Sequence, residues 1–136
     1  MRRFFQDERF RVAHLDGATI DACLGVCAST DLLQPALVLL KPRGREWQRF
    51  HLDSLGVGVW EEAPEQVVKD DLGDDSYEVV DYAARFGLRA AQIRACRCAP
   101  DDTGRVHVWL ELSVGVLTLS LGSDGASRIS FVAAES

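Results

Sequence analysis

"AAQIRACRCAPDDTGRVHVWLELSVGVLTLSLGSDGASRISFV", residues 90–132, carries the pattern that decides the fold. Within it, "RVHVWLELS" (105–113), "VLTLSL" (116–121) and "SRISFV" (127–132) alternate apolar and polar residues, the period of a strand with one buried face. The breaks fall at Asp101-Asp102-Thr103-Gly104, at Gly115 and at Gly122-Ser123-Asp124-Gly125, all rich in turn formers. Strands in succession with short turns between them read as an antiparallel meander.

Toward the N-terminus the same style recurs. "PALVLLK" (35–41) and "EWQRFHLD" (46–53) flank Pro42-Arg43-Gly44-Arg45, a second hairpin, and "RFRVAHLDGATIDAC" (9–23) reads as two strands meeting at Asp16-Gly17. Between the two strand-rich regions the period changes. Val79, Val80, Tyr82, Ala83 and Phe86 fall at helical spacing, with Ser76 placed to cap the start and Gly87 to end the helix. The residues before it, with Pro64 and Gly73 among acids, read as an exposed loop with room for one helical turn. "TIDAC" (19–23) also matches "QIRAC" (92–96), and each is followed by an apolar strand and a hairpin, which suggests two similar halves. The expected fold is therefore α+β: mainly antiparallel β meanders, with one short helix in a central connector. It forms a single domain over 1–136, with half-repeats 8–58 and 88–133 joined by an acidic connector, 59–87. The two sheets are expected to pack face to face or to join edge to edge.

A chain of 136 residues that is 47% hydrophobic is the size of one domain and can bury roughly two thirds of its unfolded surface. Charges interrupt the N-terminal "MRRFFQDERF" too soon for a signal peptide. No segment approaches the roughly 18 apolar residues of a membrane helix. The reading is a cytoplasmic protein with reduced thiols. Cys96 and Cys98 are one residue apart in an expected strand and Cys23 and Cys27 lie far away in sequence, spacings that fit core thiols better than a zinc site.

His14, His51 and His107 lie in separate strands without a second ligand at metal spacing. Alternation in "WQRFHLD" turns Gln48, Phe50 and Leu52 inward and Trp47, Arg49, His51 and Asp53 outward. In "VHVWLEL" it turns Val106, Val108, Leu110 and Leu112 inward and His107, Trp109 and Glu111 to the other side. "GVGVW" (56–60) lacks the third glycine of a dinucleotide fingerprint, and "DDLGDD" (70–75) lacks the ligand order of a calcium loop. No catalytic constellation, metal site or cofactor motif is read from the sequence. The basic residues are scattered and the net charge is −6, which disfavours nucleic acid and anionic membrane as partners.

The acids, by contrast, are concentrated. Residues 59–81 contain Glu61, Glu62, Glu65, Asp70, Asp71, Asp74, Asp75, Glu78 and Asp81 against the single lysine Lys69. Trp60, Tyr77, Val67 and Val68 give them aromatic and apolar company, which a purely solvating segment would lack. An acidic patch held by a folded domain can fill a basic, phosphate-binding cleft, its carboxylates standing where phosphates would lie. The candidate partner-binding residues are Trp60, Glu61, Glu62, Asp70, Asp71, Asp74, Asp75 and Tyr77, with Trp60 and Tyr77 as anchors.

With "EWQRFHLDSLGVGVWEE" (46–62) leading into this acidic connector, the chain resembles the small acidic immunity proteins that bacteria encode beside interbacterial toxins, those of type VI secretion and contact-dependent systems included. The resemblance covers the chain as a whole and implies a non-enzymatic toxin inhibitor: one that binds a cognate protein toxin with a basic surface and occludes its active site. The alternative is a β-rich module that binds a small molecule or peptide, or acts as a scaffold, through its outward tryptophans and histidines. An exposed sheet edge would also permit a homodimer.

Overall fold

The computed structural model describes residues 3–4, 9–28, 30–52, 60–100, 102, 106–121 and 126–134. The expected turn at 122–125, most of the turn at 101–104, Asp53 and nearly all of "GVGVW" lie outside the described residues.

Within them the chain is mostly antiparallel sheet with few, short helices. The strands are β1 (Arg3–Phe4), β2 (Phe10–Arg11), β3 (Ile20–Cys27), β4 (Leu37–Pro42), β5 (Trp47–His51), β6 (Trp60–Ala63), β7 (Glu78–Asp81), β8 (Ile93–Pro100), β9 (Val106–Leu112), β10 (Gly115–Leu121) and β11 (Ser127–Ala133). The helices are α1 (Glu65–Leu72) and α2 (Tyr82–Phe86), with a 3-10 turn at Ala13–Leu15. The first sheet has the order β1-β6-β5-β4-β3-β7 and the second β11-β10-β9-β8-β2.

The meander of residues 93–133 forms as its alternation requires. Arg97, Trp109, Thr118 and Ser130 pair across the second sheet in one row. Val108, Leu110, Leu117, Leu119 and Ile129 turn the other way and meet Cys23, Val38, Leu40, Phe50 and Trp60 of the first sheet in one buried cluster. The sheets therefore pack face to face. They also touch along one line, where Thr19 and Gln92 form an isolated antiparallel bridge.

The bonding around this bridge is reciprocal. Ile20 N–H donates to Ala91 O (2.9 Å) and Ile93 N–H to Ala18 O (2.7 Å), while Gly17 N–H donates to Ile93 O (2.7 Å) and Ala90 N–H to Ile20 O (3.0 Å). Gly17 and Ala90 share the left-handed conformation, at φ 84° and 66°. Both β3 and β8 slip register just beyond, between Ile20 and Ala22 and between Ile93 and Ala95. "TIDAC" and "QIRAC" thus occupy matching positions about a local two-fold.

Three expectations change. The strands on either side of Asp16-Gly17 do not form a hairpin: β2 pairs with β8 in the second sheet, while β3 pairs with β4 and β7 in the first. Gly17 takes the positive φ of a turn, but the 3-10 turn before it sends the chain from one sheet to the other. β7 makes the reciprocal exchange, preceding β8 in the chain yet pairing with β3.

Second, the expected helix beginning near Ser76 is shorter. Val79 and Val80 belong to β7, and α2 starts after Asp81, whose carboxylate accepts from Ala84 N–H at 3.0 Å; Gly87 ends the helix in the left-handed conformation. Ladder pairing with β3 outcompetes the helical spacing of the two valines. Third, the expected acidic loop and connector carry regular structure. β6 extends the first sheet beside β5, and α1 covers part of that sheet's outer face, where Val68 joins Val26, Leu37, Leu39, Trp47 and Ala63 in a second buried cluster.

At Gly25 the Tyr82 ring lies directly on the backbone, and a Cβ there would run into the ring edge. Tyr82 Oη donates to Leu32 O at 2.7 Å and lies 3.6 Å from Cys27 Sγ, which ties α2 and the loop after β3 to the core.

Candidate functional site: an acidic cleft beside α1

A cleft of about 320 Å³ opens where the C-terminal end of α1 meets β3, β4 and β5. Val26, Ala36 and Leu37 provide apolar lining, Arg49 and His51 enter from β5, and Asp70, Asp71, Asp74 and Tyr77 complete it from the acidic segment. Helical geometry brings the acids there. The Val67, Val68 and Leu72 side of α1 packs on the sheet, and the chain turns back at Gly73.

Arg49 organises the charges. Its Nε and Nη2 donate to the two carboxylate oxygens of Asp71 at 3.0 and 3.1 Å, and Nη1 donates to Glu61. Glu61 also meets His51 Nε2 at 3.1 Å. This fork satisfies a carboxylate pair in a mostly buried setting, where an unpaired charge would be costly. Asp70 accepts from Gln66 Nε2 at 3.1 Å, and Asp74 from Ser76 N–H at 2.9 Å, so neither draws on the guanidinium. One arginine thus faces Asp70, Asp71 and Asp74 in the lining, and the cleft is acidic. Chemically it suits an ammonium or guanidinium group, with Tyr77 as an exposed aromatic wall.

The eight residues singled out from the sequence divide. Asp70, Asp71, Asp74 and Tyr77 come together in the cleft. Asp75 is exposed next to it in sequence and does not line it. Trp60, expected to anchor a partner, is 0% exposed: β6 alternation turns its ring into the core, where Nε1 donates to Gln48 Oε1 at 2.8 Å. Glu61 points to the opposite side, beneath α1, and is 4% exposed. Glu62, opposite Gln48 in the same strand pairing, reaches His14 Nε2 at 3.7 Å and lines a shallow depression with Glu46, Ala63 and Pro64.

Trp47 turns away from the core between the sheets, as alternation required, but a further layer covers it. It is buried against α1, and Nε1 donates to Glu65 Oε2 at 2.6 Å. Besides the apolar lining, Arg49 and His51 are the cleft residues left out of the candidate set, although alternation along β5 had already turned both to this face.

On the second sheet, Trp109 stacks on His107 with ring centroids 5.4 Å apart, and the Arg97 guanidinium lies 5.8 Å from the indole centre. All four cysteines are buried free thiols. Burial pushes Cys23 up to about 12 and Cys98 to about 12, and raises Cys96 and Cys27 as well, so thiolates are scarce at neutral pH. Among the described residues no three His, Cys, Asp or Glu side chains are grouped to hold a metal ion, and no helix is long and apolar enough to cross a membrane.

Compared with known proteins, the chain matches no family model, no curated protein and no solved structure.

Proposed function

We propose that the chain is a cytoplasmic immunity protein that binds a cognate toxin without catalysis and occludes its basic active site with the surface around the acidic cleft. The observation that carries this reading is the convergence of Asp70, Asp71 and Asp74 with Tyr77 around one cavity, against a single arginine already held by Asp71 and Glu61. Such a surface attracts a cationic partner over distance, and a lysine or arginine side chain entering the cleft would meet carboxylates at the rim and an aromatic wall. Because Trp60 and Glu61 are buried, recognition falls to Asp70, Asp74, Asp75 and Tyr77, with Asp71 held in place by Arg49.

The test is co-expression with the toxin encoded beside it, reading growth rescue and recovery of a stoichiometric complex. The triple variant Asp70→Asn, Asp74→Asn, Asp75→Asn is expected to slow association and flatten its salt dependence, and Tyr77→Ala to speed dissociation. Failure of both rescue and complex formation, or association rates indifferent to salt, would remove the proposal.

One observation favours the second reading, a β-rich ligand-binding module. A cleft of about 320 Å³ stands at the lower end of small-molecule sites, roughly 300–1,000 Å³. Saturable binding of a small cationic compound by the protein alone, abolished by Asp74→Asn, would shift weight to it.

A further inference from the structure

The two-fold about the Thr19–Gln92 bridge carries through both sheets. β3, β4, β5 and β6 lie side by side in reverse order in the first, as β8, β9, β10 and β11 do in the second. Their registers match. Leu24, Leu39, Arg49 and Glu61 correspond to Arg97, Trp109, Thr118 and Ser130, and in the next row the pair Trp47 and Ala63 corresponds to Val116 and Val132.

In the first sheet these positions form the floor under α1. Val68 packs with Leu39, Trp47 and Ala63 in one buried cluster, Asp71 takes the Arg49 guanidinium, and Glu65 accepts from the Trp47 indole. In the second sheet no described helix takes that place. Trp109 is half-buried, and Val116 and Val132 are 36% and 70% exposed. Water therefore meets a tryptophan and two valines where the other half of the molecule encloses their counterparts, and contiguous exposed apolar groups of this kind mark an interaction site.

The charge around this surface is complementary to that of α1. Arg11 and Arg97 stand side by side in the Trp109 row, and Arg128 stands in the row beyond, opposite Ser120. Glu111, bonded to Arg97, is the one acid among the described strand residues of this face, and Arg11 also meets Asp16. α1, by contrast, carries Glu65, Asp70 and Asp71 against Lys69.

We propose that the outer face of the second sheet, around Trp109, Val116 and Val132, is the docking site for an acidic amphipathic helix of another protein, seated there as α1 is seated on the first sheet. Apolar residues three and four apart on that helix meet the tryptophan and the valines, as Val68 and Leu72 meet the first sheet. Its flanking carboxylates reach Arg97 and Arg128, as Asp71 reaches Arg49. Internal symmetry selects a helix, and the arginines select its charge. The site lies on the opposite sheet from the acidic cleft and does not depend on the function proposed for that cleft.

A stapled synthetic helix, with leucine and valine along one side and aspartate and glutamate on its flanks, tests the proposal against a counterpart whose acids are all lysine. Stapling supplies the helicity that a short free peptide lacks in water. NMR shifts of the indole N–H groups report binding, with the buried Trp47 and Trp60 as internal references. The acidic helix should move the Trp109 resonance saturably, with an affinity that falls as salt rises, and the lysine helix should leave it in place. Arg97→Gln combined with Arg128→Gln should weaken binding by about tenfold. Val132→Asp should weaken it too, by setting a carboxylate in the apolar seat. All three sites are exposed, and an unchanged melting temperature verifies that each variant folds.

A Trp109 resonance indifferent to the acidic helix overturns the proposal, as does equal binding of the two helices or binding that survives both variants. Saturation of Trp109 by a single-stranded oligonucleotide in place of the acidic helix would assign the arginines to phosphates, and would overturn it too.

Discussion

In the first sheet, the row Leu24, Leu39, Arg49 and Glu61 lies on the face that α1 covers; in the second, the matching row Arg97, Trp109, Thr118 and Ser130 is half-buried or exposed. The ladders beneath are alike, and each face differs in what lies over it. Where α1 packs, Val26, Leu37 and Leu39 form an apolar floor and the one guanidinium is held by two carboxylates. On the open face an arginine, a histidine and a glutamate surround a tryptophan, and Arg97 bonds Glu111 at 2.7 Å with both side chains well exposed. An ion pair is thus a requirement of burial on one sheet and a surface contact on the other.

The largest effect should come from the shared interior. Trp60→Ala removes a ring enclosed between the sheets and the partner of Gln48, and is expected to cost about 3–5 kcal/mol in urea unfolding. A cost near 1 kcal/mol would mean that the core collapses around the gap.

The two arginines test the contrast directly. Arg49→Ala strands Glu61 and Asp71 in their buried setting and should cost about 3 kcal/mol. Arg97→Ala should change stability by less than about 0.5 kcal/mol. Equal effects would break the distinction between covered and open faces.

The thiols probe burial common to both sheets. Cys23 and Cys98, pushed up to about 12, remain protonated in the folded chain at a pH where the unfolded chain ionises. Their contribution is complete below the ordinary thiol range, near 8.5, and is lost as pH rises from there toward about 12. Melting temperature should therefore fall across that window, and a variant with Cys23→Ala and Cys98→Ala should fall less steeply. Parallel falls would exclude these two thiols as the cause.

The smallest effect concerns the two-fold bridge. Ala90 takes the conformation that Gly17 takes in the other half, at φ 66°. Relief of Cβ crowding in the left-handed region is worth about 1 kcal/mol, less the extra freedom glycine gives the unfolded chain. Ala90→Gly should therefore be neutral to about 1 kcal/mol stabilising, and Gly17→Ala destabilising by a similar amount. Destabilisation by Ala90→Gly would show that the halves differ in strain at matching positions.

Several features were legible in the residues alone. The alternation of "RVHVWLELS" and "VLTLSL" gave β9 and β10 and their buried faces, the Pro42–Arg45 turn gave the β4–β5 hairpin, and "TIDAC" with "QIRAC" marked the positions that meet at the bridge. Asp70, Asp71, Asp74 and Tyr77 could be picked out because like charges and an aromatic residue clustered within a few positions.

What alternation could not supply was the identity of the layer above each face. Trp47 and Arg49 read as outward-facing, and both do leave the core between the sheets, but α1 then buries Trp47 and closes most of Arg49 from solvent. Trp60 read as part of an acidic surface because its neighbours in sequence are acids, whereas a strand sends adjacent side chains to opposite sides. The local periodicity of the chain therefore determined strands, turns and the inward set, since these depend on neighbours one to four residues apart. Tertiary structure alone decided the exchange of β2 and β7 between sheets, the covering of one outer face and the joining of Arg49 to Asp71, because long-range pairing sets partners that near neighbours do not encode.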